Sequence, residues 1–221
     1  MPFAWSGAVH GVGISVDSGD RPFIDLVRAT YHHFEASDIG SADIAADFTY
    51  TLGKSRTRPT DTGLPWQLGT DVYSDGSGKL AYRHRSGTFV ALDASQPQWH
   101  VSAVHAESTP QTLARLLRVR PPVNMGNRQI AMRLAIHYPV FWRLSDSGVF
   151  PLHAATVSRD GRALIFAGLN GCGKSTLALT LCHSHGFKLV SDNFTLHDGS
   201  QVLPFPETLR LPQKEATGLS L

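Results

Sequence analysis

Residues 163–176 read Ala163-Leu164-Ile165-Phe166-Ala167-Gly168-Leu169-Asn170-Gly171-Cys172-Gly173-Lys174-Ser175-Thr176, and this stretch decides the fold. The run from Gly168 to Ser175 meets the pattern G-x-x-x-x-G-K-[ST] at every fixed position. Such a loop wraps a chain of phosphates with backbone N–H groups. Its glycines let the main chain approach the ligand with no Cβ in the way. Lys174 supplies positive charge to the β- and γ-phosphates, and Ser175 offers a hydroxyl to Mg2+. The helix that starts here turns its N-terminal dipole and unbonded N–H groups toward the anion. The expected ligand set is Gly168, Leu169, Asn170, Gly171, Cys172, Gly173, Lys174, Ser175 and Thr176, holding ATP with Mg2+.

The motif needs a strand before it and a helix after it. Ala163–Ala167 is an unbroken apolar run, which predicts a buried parallel strand. Thr176 to Cys182 carries Leu177, Ala178 and Leu181 at helical spacing. Gly186 is placed to stop that helix, with His183 and His185 in its last turn. Next, Phe187-Lys188-Leu189-Val190 predicts a short strand ending in Ser191-Asp192-Asn193. A carboxylate just past such a strand is where a nucleotide site puts a metal-organising or catalytic acid. Neighbouring parallel strands end side by side, so Asp192 is expected beside Ser175 and the γ-phosphate end of the loop, with His153 nearby.

The 221 residues carry a formal charge of +2 and are 42 % hydrophobic. Near-neutral charge gives no general attraction to nucleic acid or membrane. The two cysteines, Cys172 and Cys182, have no metal-ligand spacing, and a disulfide between them would distort the loop. They predict reduced thiols in a cytoplasmic protein. The start of the chain has no secretory pattern, and no apolar run reaches membrane-span length.

The first hundred residues predict mostly strands: Val9–Val16, Ile44–Leu52, a hairpin over Lys79–Leu92 turning at Ser86-Gly87, and Gln98–Val104. Gly53–Thr70 predicts an exposed loop with a basic stretch, Lys54 to Arg58. Two helices follow. One starts at the Thr109-Pro110 cap, with Leu113, Leu116 and Leu117 on one face. The other runs over Asn127–Tyr138 and is interrupted or kinked by Pro139. After a turn at Asp146-Ser147-Gly148, one strand is expected over Phe150–Val157, and a hairpin around His197–Ser200. The boundary falls near 145: residues 1–145 form a β-rich α+β region for substrate or partner recognition, and residues 146–221 form the nucleotide-binding domain.

Leu152-His153-Ala154-Ala155, the hairpin leading into the loop, the compact helix and Gly186-Phe187-Lys188-Leu189-Val190-Ser191-Asp192-Asn193 together resemble the C-terminal domain of HPr kinase/phosphorylase. They look still more like the HPr-kinase-related proteins of bacterial gene clusters. The resemblance covers residues 150–205. It implies an α/β P-loop domain related to phosphoenolpyruvate carboxykinase. The implied activity is a kinase that moves phosphate from ATP, with Mg2+, to a Ser or Thr hydroxyl of a protein or peptide. Lys174 matches the loop lysine, Ser175 the Mg2+ ligand and His153 the active-site histidine. Asp192 falls in the family's Asp-Asp pair, where this chain keeps one acid beside Asn193; its implied roles are metal ligand and base. The catalytic set is thus His153, Lys174 and Asp192, and the metal set Ser175 and Asp192.

The family's domain continues past the point where this chain stops, so the domain is expected to be incomplete at its C-terminus. An unpaired sheet edge and self-association are expected with it. Two other readings stand beside the kinase. One is a non-catalytic nucleotide-binding or interaction module, favoured by Asn193. The other is an ABC-type ATPase fragment, opposed by the long segment before the loop and the lack of a Leu-Ser-Gly-Gly-Gln signature.

Overall fold

The structure is a computed structural model that describes residues 2–36, 39–52, 62–107 and 124–205. The helix expected from Thr109 and the basic stretch 54–58 lie outside the described residues. The chain divides into two compact units between Arg143 and Leu144.

Among its described residues the first unit is built on an eight-stranded sheet. Its strands are β1 (Phe3–Val9), β2 (Val12–Ser18), β3 (Ile44–Leu52), β4 (Trp66–Gly69), β5 (Val72–Ser74), β6 (Lys79–Arg83), β7 (Thr88–Asp93) and β8 (Trp99–Glu107). They are ordered β1-β2-β3-β8-β7-β6-β5-β4. β3 runs parallel to both β2 and β8, and the other pairs are antiparallel. Alternate residues Ile14, Val16, Ile44, Phe48, Val90, Leu92, Val101 and Ala103 are buried, the period-two pattern of a sheet packed on one face.

Three sequence expectations change here. The span Val9–Val16 is not one strand. His10 and Gly11 both adopt positive φ (48° and 89°), which is the two-residue hairpin turn whose twist suits β1 and β2. The expectation of mostly strands in the first hundred residues, with no helix named there, misses α1 (Arg21–Tyr31), which buries Phe23, Ile24, Val27 and Tyr31. Parallel β2 and β3 require a crossover, and α1 supplies it. Asp20 stands at the N-cap of α1 but makes no capping bond. Its carboxylate instead accepts from Arg128 Nε at 2.6 Å and Nη2 at 2.9 Å. Within the expected loop at Gly53–Thr70, residues 66–69 form strand β4.

Pro139 does not break the second helix. α2 (Asn124–Met132) continues through a π turn over Arg133–His137 into α3 (Tyr138–Ser145). Within the π turn Tyr138 N–H bonds Arg133 O. Widening the turn just before Pro139 accommodates the ring and its missing donor, so the axis carries on. Tyr82, from the sheet, donates its hydroxyl to Leu134 O in that turn.

Among the described residues the second unit holds two three-stranded sheets and the helix that follows the loop. β9 (Phe150–Leu152), β13 (Thr195–His197) and β14 (Val202–Leu203) form one sheet, in the order β14-β13-β9. β10 (Ala154–Arg159), β11 (Arg162–Ala167) and β12 (Lys188–Ser191) form the other, in the order β11-β10-β12. The expected single strand over Phe150–Val157 is therefore two strands in two sheets, switching at a bend at His153. β11 and β12 are both antiparallel to β10, which lies between them. They point the same way but are not neighbours. β11 is also not a buried parallel strand: among the described residues it is an outer strand, with Leu164 43 % and Ile165 42 % exposed.

α4 (Lys174–His185) packs on this sheet through Ala178, which clusters with Ala155 and Val157; Phe166, Leu181, Cys182 and Phe187 surround them. It ends where the sequence puts its stop. Gly186 takes φ 67°, and its N–H bonds Leu181 O. Arg159 donates to His185 O at 2.9 Å, a cation on the carbonyl end of the helix.

Candidate nucleotide site

The loop leaves the C-terminal end of β11 at Gly168 and enters α4 at Lys174. Gly171 and Gly173 hold φ values of 79° and 91°, a region closed to most side chains. They turn the chain so that Gly173 becomes the N-cap of α4. The first intrahelical bond found beyond the cap is Leu177 N–H to Gly173 O at 2.9 Å. The amides ahead of it head the helix, free of the intrahelical ladder. The loop is open to solvent, so a ligand can reach those amides.

Lys174 Nζ donates to Gly168 O and Leu169 O, both at 3.0 Å. The ammonium thus closes the loop on itself. Ser175 Oγ donates to Asp192 Oδ1 at 2.7 Å. Asp192 follows the end of β12, and β12 runs alongside β10. The hydroxyl and the carboxylate come together although 17 residues separate them.

His153 is exposed at the bend between β9 and β10 rather than inside an apolar strand. Its ring lies 6.0 Å from that of Phe194, centroid to centroid. Ala154 N–H, one residue on, donates to Asn193 O at 3.1 Å. That bond joins the neighbour of His153 to the neighbour of Asp192. Cys172 is an exposed thiol in the loop, and Cys182 is a half-buried residue of α4; both are free. Burial pushes the Cys182 thiol above its ordinary range.

The donors suit Mg2+ with a nucleoside triphosphate. A hydroxyl and a carboxylate are hard oxygen ligands, and Mg2+ takes one or two such groups plus phosphate oxygens and water. Among the described residues no group of three or more His, Cys, Asp or Glu side chains could hold a metal by itself. A metal here would therefore share its shell with the phosphates.

The loop pattern marks Lys174 and Ser175 in the sequence. It does not mark the hydroxyls behind Asp192. Thr156, Ser191 and Thr195 are buried and bonded to one another, and no local pattern links Thr156 to Thr195 across 39 residues.

Among known families, the one described as SynChlorMet cassette protein ScmC matches residues 119–209. That is less than half of the chain, and it takes in α2, α3 and every described element of the second unit. It is not an HPr kinase family. No curated protein and no solved structure matches the chain. Among the described residues no helix is long and apolar enough to cross a membrane.

Proposed function

We propose that this chain is an ATP-dependent kinase whose phosphate site is the loop 168–176 and whose acceptor is a Ser or Thr hydroxyl of a protein or peptide. The observation that carries the reading is the 2.7 Å bond between Ser175 and Asp192, at the head of a helix that opens in a complete phosphate-loop motif. In phosphoryl transfer the protein chiefly positions groups and neutralises charge. The amides at the head of α4 would face the phosphate oxygens, and Lys174 would exchange Gly168 O and Leu169 O for them. Ser175 and Asp192 would hold Mg2+, which when bound spreads and neutralises the negative charge. The acceptor oxygen attacks the γ-phosphorus. The bond from that phosphorus to the β–γ bridging oxygen breaks, and ADP leaves with the electron pair. The acceptor's proton passes to Asp192 or His153.

A second reading rests on Asn193. A carboxamide cannot serve as a base, so one acid remains at this turn, and the unit would bind nucleotide without transferring phosphate. Incubation with γ-labelled ATP, Mg2+ and the proteins or peptides encoded beside it separates the two. A labelled acceptor supports the kinase. Calorimetric binding of ATP without any labelled product supports the binding module. No binding overturns both.

A further inference from the structure

We infer that Thr195 is a positioning residue for this site, holding Asp192 against Ser175 through a buried hydroxyl junction. The inference rests on the nucleotide reading above. Thr195 is fully buried. Its Oγ1 donates to Ala154 O at 3.3 Å. A hydroxyl has one hydrogen and two lone pairs, so Thr156 Oγ at 2.7 Å and Ser191 Oγ at 2.8 Å are the donors to it. All three positions on the Thr195 hydroxyl are then filled.

The junction closes the turn 191–195 at both ends. Ser191 immediately precedes Asp192, and its side chain bonds Thr195 across the turn. Ala154 is held through both backbone groups: its carbonyl accepts from Thr195, and its N–H donates to Asn193 O. Asn193 itself sits at φ 74°, a left-handed conformation that asparagine tolerates better than other side chains and β-branched residues resist. The turn is fixed from below by hydroxyls and from within by one left-handed residue. Its outward product is a carboxylate 2.7 Å from Ser175, with His153 one residue from the same Ala154. Residues held in sparsely populated backbone regions by a surrounding network cluster at sites of function.

The test uses the whole chain and a fluorescent N-methylanthraniloyl-ATP probe, titrated with and without Mg2+. Thr195→Val keeps the shape and removes the hydroxyl. It should leave metal-free affinity within about twofold and reduce the tightening by Mg2+ about tenfold, the usual scale for losing a group that orients a metal ligand. Thr195→Ser keeps the hydroxyl and should restore the tightening; a merely structural role would not separate the two titrations. If Thr195→Val does not fold, Asn193→Gly and Asn193→Val replace it. Glycine keeps the left-handed turn and should retain the Mg2+ effect, and valine should lose it. Equal Mg2+ effects in wild type and folded Thr195→Val, or in the two Asn193 variants, overturn the inference alone. Absence of any nucleotide binding by the wild type overturns the nucleotide reading and the inference with it.

Discussion

Replacing Lys174 by alanine removes a side-chain charge held on the loop, and its effect follows from two distances and an exposure. In the free protein Nζ rests on Gly168 O and Leu169 O at 3.0 Å each. In the proposed phosphate complex those neutral acceptors would be exchanged for phosphate oxygens, so hydrogen-bond number would be conserved and the gain would be chiefly charge on charge. A unit pair at about 4 Å is worth ~1 kcal/mol in water and ~4 kcal/mol at an effective dielectric of about 20. Lys174 is half-buried at the head of an exposed loop, which places the gain near 2 kcal/mol, or roughly 30-fold in Kd. Calorimetric titration with Mg·ATP at low ionic strength should show this loss, and the difference should shrink as salt is added. Fold stability should change by less than ~0.5 kcal/mol, because the two carbonyls released lie in an exposed loop that water can serve. Equal affinities for Lys174→Ala and wild type, within about twofold, would refute the assignment of the loop as a phosphate site.

Asp192→Asn should abolish phosphotransfer to the natural acceptor while leaving much of the metal-free nucleotide affinity, since the amide keeps the bond from Ser175 but takes no proton; unaltered transfer would place the base elsewhere. Asp20→Ala leaves the Arg128 guanidinium without its bidentate carboxylate in a site where both side chains are about one-tenth exposed, and should cost ~3 kcal/mol in urea unfolding; a loss below ~1 kcal/mol would contradict it. His137 is fully buried, and that burial, reinforced by the Arg133 charge, pushes its pKa down from 6.5 to about 3. The unfolded chain binds the extra proton between those values, so this contribution is complete above about pH 6.5 and lost as pH falls, by ~1.4 kcal/mol per unit. Stability at pH 5.0 should lie ~2 kcal/mol below that at pH 7.5, and His137→Phe should flatten the profile by one proton; an unchanged slope in that variant would refute it.

The parts of the chain that were legible are those set by local chemistry. β3 occupies the span read from its alternation, β6 and β7 turn about Ser86-Gly87, and α4 stops at Gly186, where a residue with φ 67° is needed. α1 was missed although its signature is local: Asp20, a proline in the first turn and apolar residues at Phe23, Val27 and Tyr31. What local pattern could not give is pairing. Ala163–Ala167 has the composition of a buried strand, yet its neighbours are decided by which strands reach it, and among the described residues β10 alone does. Ser175 and Asp192 meet for a reason other than the one the pattern implied. Their strands point the same way, but across β10 rather than side by side. Thr156, Ser191 and Thr195 each read as an ordinary strand or turn residue, and only the tertiary fold makes them one junction.

The outer position of β11 would tie the affinity of a ligand in the loop to local unfolding. Among the described residues this strand takes its ladder bonds from β10 on one side only, and its far end runs straight into the loop. Opening in native proteins starts at such weakly held segments. A ligand gripping the loop would fasten the free end of the strand between β10 and α4. Any opened state that releases the ligand then becomes rarer by RT ln(1 + [L]/Kd), ~2.7 kcal/mol at a hundredfold excess. Amide exchange along Arg162–Ala167, in residues that need touch no phosphate, would therefore slow in proportion to how tightly the loop is filled.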